Sequence, residues 1–126
     1  MPGRVKVNEI GQIALVVSDV QKALAFYRDI LGLTYLFEAG PDLVFLMAGD
    51  VRIMLTYPEG ELKPGKGSTL YFKVDNVDTA QAEFVAKGAA REGEPHLVAK
   101  MPDHELWMAF LRDPDDNLVG LMEERS

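Results

Sequence analysis

One strand-helix unit, used twice, sets the limits on how this chain can fold. Gln12 to Leu33 reads QIALVVSDVQKALAFYRDILGL, and Thr69 to Gly88 reads TLYFKVDNVDTAQAEFVAKG. In the first copy Ile13, Leu15 and Val17 alternate with Gln12, Ala14 and Val16, which predicts a strand with two unlike faces. Val20, Ala23, Leu24, Tyr27 and Leu31 then fall on one face of a helix, and Gly32 can take the left-handed conformation that ends it. Ser18 stands three residues before Gln21, the spacing of a capping box. In the second copy Leu70, Phe72 and Val74 match the strand, and Val77, Ala80, Ala82 and Phe84 match the helix. Asp75 and Asp78 are a weaker echo of the cap.

A length of 126 residues fits one compact domain, or two half-size modules sharing a core. The net charge of -7 and the lack of a Lys/Arg cluster argue against nucleic acid as a partner. No cysteine is present, which rules out disulfides, thiol catalysis and thiolate metal sites. No apolar run is long enough to span a membrane, and MPGRVKVNEIG lacks the apolar segment of a signal peptide. A cytoplasmic location is therefore expected.

Residues up to about Glu9 read as a loosely held lead-in. A strand is expected over Ile10–Val17 and a helix over Asp19–Leu31. Strands are then expected at Leu33–Glu38, Leu43–Ala48 and Val51–Tyr57, with Gly40-Pro41-Asp42 and Gly49-Asp50 as turns. The order βαβββ makes a first module of about 10–57. Residues 58–68, PEGELKPGKGS, read as a linker or as a flap over a site. The second module, about 69–124, repeats the order: a strand at Thr69–Val74, a helix at Val77–Lys87, and strands at Arg91–Lys100, Glu105–Arg112 and Asn117–Glu124. Asp113-Pro114-Asp115-Asp116 has the proline of a tight turn at its favoured second position. It lacks the alternating acidic ligands of a calcium loop.

SDVQKALAFYRDILGL, the second strand-helix around VDNVD, and the terminal FLRDPDDNLVGLMEE together resemble the vicinal oxygen chelate superfamily. Its members are the VOC-domain glyoxalases, bleomycin-resistance proteins and extradiol dioxygenases. The resemblance covers nearly the whole chain. It implies an α+β fold in which two βαβββ modules form an open, cup-shaped mixed sheet with helices packed outside and a ligand inside. It also implies frequent homodimers, sometimes with modules paired across chains.

Metal-dependent members of that superfamily place four ligands, usually His, Glu or Gln, on cup-facing strand positions. Carried onto this sequence, those positions fall on Gln12, Met54, Thr69 and Gly120. A thioether is soft, a threonine hydroxyl is a poor neutral donor and glycine has no side chain, so no metal cofactor is expected. Glu123 lies three residues past Gly120, on the opposite face of a regular strand.

With Gln12 facing the cup, parity places Ala14, Val16, Arg52, Met54, Thr56, Thr69, Tyr71, Lys73, Leu118, Gly120 and Met122 inside. That lining is mostly apolar with a few polar groups, as in small-molecule pockets, although the same Met and aliphatic residues also suit a plain core. Gln12, Arg52, Met54, Thr69, Tyr71, Trp107 and Met122 are the expected ligand contacts. Tyr71 and Trp107 would stack on a planar group, and Arg52 or Lys73 would meet a carboxylate or phosphate. His96 and His104 share one stretch, with Asp103 and Glu105 beside the second. His104 and Tyr71 are thus candidate acid-base groups, against the plainer reading of Pro102-Asp103-His104 as a turn. A metal-free protein that binds a small organic molecule fits these residues best. The alternative is a lyase, isomerase or dioxygenase that holds a divalent metal on relocated ligands.

Overall fold

A computed structural model describes residues 5–57 and 68–126. The segment read as a linker or flap therefore lies, except for Ser68, outside the described residues. Among the described residues two four-stranded mixed sheets carry two helical segments. Sheet one contains β1 (Gln12–Val16), β2 (Thr34–Glu38), β3 (Leu43–Ala48) and β4 (Val51–Thr56) in the order β1-β4-β3-β2. Sheet two contains β5 (Leu70–Lys73), β6 (Ala90–Lys100), β7 (Glu105–Arg112) and β8 (Leu118–Arg125) in the order β5-β8-β7-β6. The first strand of each module pairs parallel with the last, and the other pairs are antiparallel. Both sheets are open, as expected of an α+β fold built from two βαβββ modules.

Alternation decides which face of each sheet is covered. Val44, Leu46, Ile53 and Leu55 in sheet one are buried, as are Ala109, Leu111, Val119 and Leu121 in sheet two. These faces pack with the helices into one core that includes Val20, Ala23, Leu24 and Val77. Burying each such aliphatic side chain contributes about 1.5–3 kcal/mol relative to leaving it exposed. The opposite faces, led by Gln12, Arg52, Tyr71 and Lys73, are exposed.

Helix α1 (Val20–Leu24) continues into a π-helical segment, Ala25–Ile30, where a regular α-helix is expected from the sequence. The wider turn shows in the bond from Leu31 N–H to the Phe26 carbonyl, 3.0 Å. It lets two successive residues point inward: Phe26 and Tyr27 are both buried, ring edge to ring face at 4.9 Å. Gly32 then leaves the helix with φ 83, as its position implies.

The caps sit one residue later than the sequence spacing suggests. Asp19, not Ser18, caps α1 by accepting from Lys22 N–H at 3.0 Å. Asn76, rather than Asp75 or Asp78, caps α2 (Val77–Ala86) by accepting from Thr79 N–H at 2.9 Å. Asp19 and Asn76 occupy the same place in the two repeats, so the repeat extends to the cap.

The start of each helix is sealed a second time, from different sources. In module two, Glu123 accepts from Val77 N–H within the same module. In module one, the Ser18 N–H is taken by Asp115, from the β7–β8 turn of the other module. The same turn supplies Asp113, which accepts a 2.7 Å hydrogen bond from the buried Tyr27 hydroxyl. Asp113 also accepts from the Asp115 and Asn117 N–H groups and the Asn117 amide. Asp116 holds φ 65 to close the turn, a left-handed conformation that costs Asp more than Gly.

Candidate functional site

The exposed face of sheet one brings together Gln12, Arg52 and Met54. The parallel pairing of β1 with β4 sets Gln12 beside Arg52 and Ala14 beside Met54. Arg52 Nε donates to Gln12 Oε1 at 2.7 Å, and the Gln12 amide nitrogen lies 3.7 Å from the Met54 sulfur. The oxygen through which Gln12 would ligate a metal is therefore already an acceptor for a guanidinium. The Arg52 guanidinium also lies over the Phe45 ring, 5.4 Å from its centre. Phe37 stacks on Phe45 at 4.8 Å with 28° between the rings. Phe37 and Phe45 are absent from the sequence-derived contacts. The in-out alternation of β3 puts Phe45 on the face of Met54, whereas Phe37 is brought beside Phe45 by the β2–β3 register, which is shifted between Tyr35 and Phe37.

The exposed face of sheet two gathers a second group. β5 sets Tyr71 beside Gly120 and Lys73 beside Met122, and β7 sets Phe110 beside Gly120 and Met108 beside Met122. Tyr71 meets Phe110 edge-on at 5.9 Å, and His96 stacks on Phe110 at 6.1 Å. The Tyr71 ring occupies the space that a side chain at position 120 would need. A Cβ there would lie 2.7 Å from Tyr71 Cε1 and 3.0 Å from Cγ, with Cδ1 closer still. Thr69 is half-buried and precedes β5.

Trp107 is not part of this surface, which corrects the expected stacking pair with Tyr71. Odd positions of β7 face the core, so Trp107 packs against it beside Glu123. Its ring is covered by the Arg125 guanidinium at 4.1 Å, and its Nε1–H donates to Glu105. Glu105 is therefore turned away from His104. Glu123 faces the same way, as parity requires. Burial works against charge on Glu123, but the bonds from Arg125 and Val77 N–H hold its carboxyl below the usual carboxylate range.

His104 is held at one end of the sheet-two face. Its Nδ1 lies 2.7 Å from Asp103 Oδ1, and its Nε2 lies 3.5 Å from Glu124 Oε2. Glu124 also lies 3.6 Å from Lys73 Nζ. The hydrogen bond to His104 holds the Asp103 carboxyl below its ordinary range. Glu124 was missed from the sequence, although the parity of Leu118, Gly120 and Met122 extends to it. His96 and His104 do not meet: His96 pairs with Met108, four residues along β7, roughly 13 Å at strand rise.

Outward residues of the two sheets, Met47 from sheet one and Tyr71 and Lys73 from sheet two, reach the same cleft. Among the described residues no hydrogen bond or ion pair joins Gln12, Arg52 or Met54 to Tyr71, Met122 or Glu124. That cleft, of about 560 Å³, lies between the modules. It is lined mainly by core-side residues such as Ile13, Ile53, Leu70, Phe72, Phe84 and Leu121. Among the described residues no group of three or more His, Cys, Asp or Glu is placed to hold a metal ion, and no helix is long and apolar enough to cross a membrane.

Paired βαβββ modules, parallel first-to-last strand pairing and an open face on each sheet define a class of α+β domains. The sequence model of the Glyoxalase/Bleomycin resistance protein/Dioxygenase superfamily matches residues 9–121, and the chain belongs to that superfamily. It is 31% identical to the uncharacterized protein YraH of Bacillus subtilis, over 87% of this chain and 94% of that protein. It is 34% identical to the mitochondrial methylmalonyl-CoA epimerase of Mus musculus, over 65% of this chain and 54% of the epimerase. Among solved structures, lactoylglutathione lyase from Agrobacterium tumefaciens matches with a TM-score of 0.71 at 25% identity, covering 94% of this chain and 95% of that one. TnmS3, an antibiotic binding protein from Streptomyces sp. CB03234, shares the fold with a TM-score of 0.75 at 23% identity, covering 96% and 99%.

Proposed function

We propose that this protein is a metal-independent member of its superfamily that binds a small organic molecule on the open sheet faces. One observation supports the reading: the positions where metal-dependent members hold ligands carry Gln12, Met54, Thr69 and Gly120, a poor donor set for a divalent ion. The Gln12 oxygen accepts from Arg52, Met54 offers a thioether, Thr69 is a weak donor, and the Tyr71 ring fills the place of a side chain at 120. What stands there instead is aromatic and thioether surface with a few polar groups, the usual make-up of a small-molecule site. Relatives with the fold include both an antibiotic binding protein and a lyase, so fold alone does not choose between binding and catalysis.

A homodimer accompanies this reading. Tyr35, Leu36 and Phe37 on edge strand β2, and Leu97 and Val98 on edge strand β6, are exposed. Exposed apolar edge strands favour pairing with another chain.

Elemental analysis of protein purified without chelator, together with a thermal-shift panel of aromatic and amphipathic compounds, tests the proposal. No stoichiometric metal is expected, and chelator is expected to leave Tm unchanged. A ligand at a hundredfold its Kd should raise Tm by roughly 10 °C. A stoichiometric metal ion, or a panel in which nothing stabilises the protein, overturns it.

Metal-free proton transfer by His104 is a second reading. It is supported by the Asp103–His104–Glu124 alignment beside Lys73 at the edge of the same face.

A further inference from the structure

We propose that Arg52 is the anion-recognising residue of the ligand surface, and that the ligand is a planar aromatic molecule carrying a carboxylate. This inference rests on the small-molecule reading above and specifies its ligand.

The first support is the state of the donors. The bond from Arg52 Nε to Gln12 Oε1 fixes the guanidinium at the base of the face. Among the described residues neither Nη atom of Arg52 has an acceptor. The Gln12 amide nitrogen has only the Met54 sulfur, a weak acceptor, at 3.7 Å. The guanidinium fork and the neighbouring amide are thus available to one ligand group. A carboxylate matches the fork with two parallel, charge-assisted hydrogen bonds.

The second support is what surrounds the cation. Outward positions of β1, β3 and β4 are Gln12, Ala14, Val16, Leu43, Phe45, Met47, Arg52, Met54 and Thr56, with no acidic residue among them. The chain is acidic overall, yet this patch is cationic, and local charge rather than net charge governs a contact at hydrogen-bond range.

The third support is the aromatic pair that leads away from the cation. Phe45 lies under the guanidinium and Phe37 stacks on Phe45, with Phe37 48% exposed. A flat ring attached to the carboxylate can extend that stack, which favours an aromatic over an aliphatic acid. In effect an organic cation is bonded to Gln12, one of the first-module positions where metal-dependent members of the superfamily hold an inorganic one.

The experiment titrates the intact protein with 2-naphthoate, its neutral isostere 2-naphthamide, 2-naphthylmethylammonium and cyclohexanecarboxylate, by calorimetry and ligand-observed NMR. The expected result is naphthoate binding roughly tenfold or more tightly than naphthamide, with cyclohexanecarboxylate weaker than naphthoate. Arg52→Met should erase the preference for the acid, and Arg52→Lys should keep part of it. Arg52 is exposed, so both variants should fold, which their circular dichroism checks. Equal binding of naphthoate and naphthamide, preference for the ammonium, or an acid preference that survives in Arg52→Met overturns the inference while the binding reading stands. If none of the four probes binds and the thermal-shift panel is also silent, both fall.

Discussion

Replacing Gly120 with Ala asks whether the Tyr71 ring closes the space beside position 120. Gly120 is not among the positive-φ residues, so its backbone accepts alanine. In an open site the change would stabilise the protein by about 0.4–1 kcal/mol through the unfolded chain. Here the new Cβ would press on Tyr71 at Cγ, Cδ1 and Cε1, near the root of the ring and not at its flexible tip. Tyr71 must turn off its rotamer, at about 0.5–1.5 kcal/mol. It also gives up its edge contact with Phe110, at about 0.5–1.5 kcal/mol. Set against the entropic gain, the net cost is about 0.5–2 kcal/mol. Urea denaturation of four proteins measures it: wild type, Gly120→Ala, Tyr71→Ala and the double variant. Removing the ring removes the clash, so Gly120→Ala should be neutral or stabilising in the Tyr71→Ala background. The coupling between the two sites should be about 1–3 kcal/mol. A Gly120→Ala protein as stable as wild type, or additive effects within about 0.5 kcal/mol, refutes the reasoning.

Two further changes probe the ties around the helices. Tyr27→Phe should cost about 1–2 kcal/mol by removing the buried bond to Asp113. Burial and the Asp113 carboxylate push the Tyr27 hydroxyl pKa up, so its stabilisation is full below the unfolded-state value of about 10 and is lost as pH rises beyond it. A wild-type alkaline decline that is identical in Tyr27→Phe argues against this. Glu123→Gln should cost about 1–3 kcal/mol near neutral pH. The Glu123 pKa is depressed, so the carboxylate's contribution is present above the ordinary carboxylate range and disappears as pH falls through and below it. The stability gap between wild type and variant should therefore narrow in acid, and a gap independent of pH contradicts the assignment.

The repeat and its alternation determined most of the architecture. β3 and β7 lie at their expected residues, and the other elements differ from expectation by one or two residues at their ends. Period-2 patterning survives because one face of each sheet must leave water, and a one-residue slip would expose it. The same patterning placed Gln12, Arg52, Met54, Tyr71, Gly120 and Met122 on the open faces and turned Glu123 away.

Parity also excludes Trp107 from the open face of sheet two and adds Glu124 there and Phe45 on sheet one. Adjacency misleads in a strand, because successive side chains point in opposite directions and the partners of a residue come from other strands.

Three features belonged to the tertiary structure alone. The π-helical turn at Ala25–Ile30 leaves the local residue types unchanged and is expressed only in how Phe26 and Tyr27 pack. The cap on Ser18 comes from Asp115, far along the chain, so no local spacing encodes it. The engagement of Gln12 by Arg52 depends on parallel pairing of β1 with β4, which brings together side chains that the sequence keeps apart. Residue types and their period dictate what a strand buries, whereas the partner of a polar atom is set by register between distant segments.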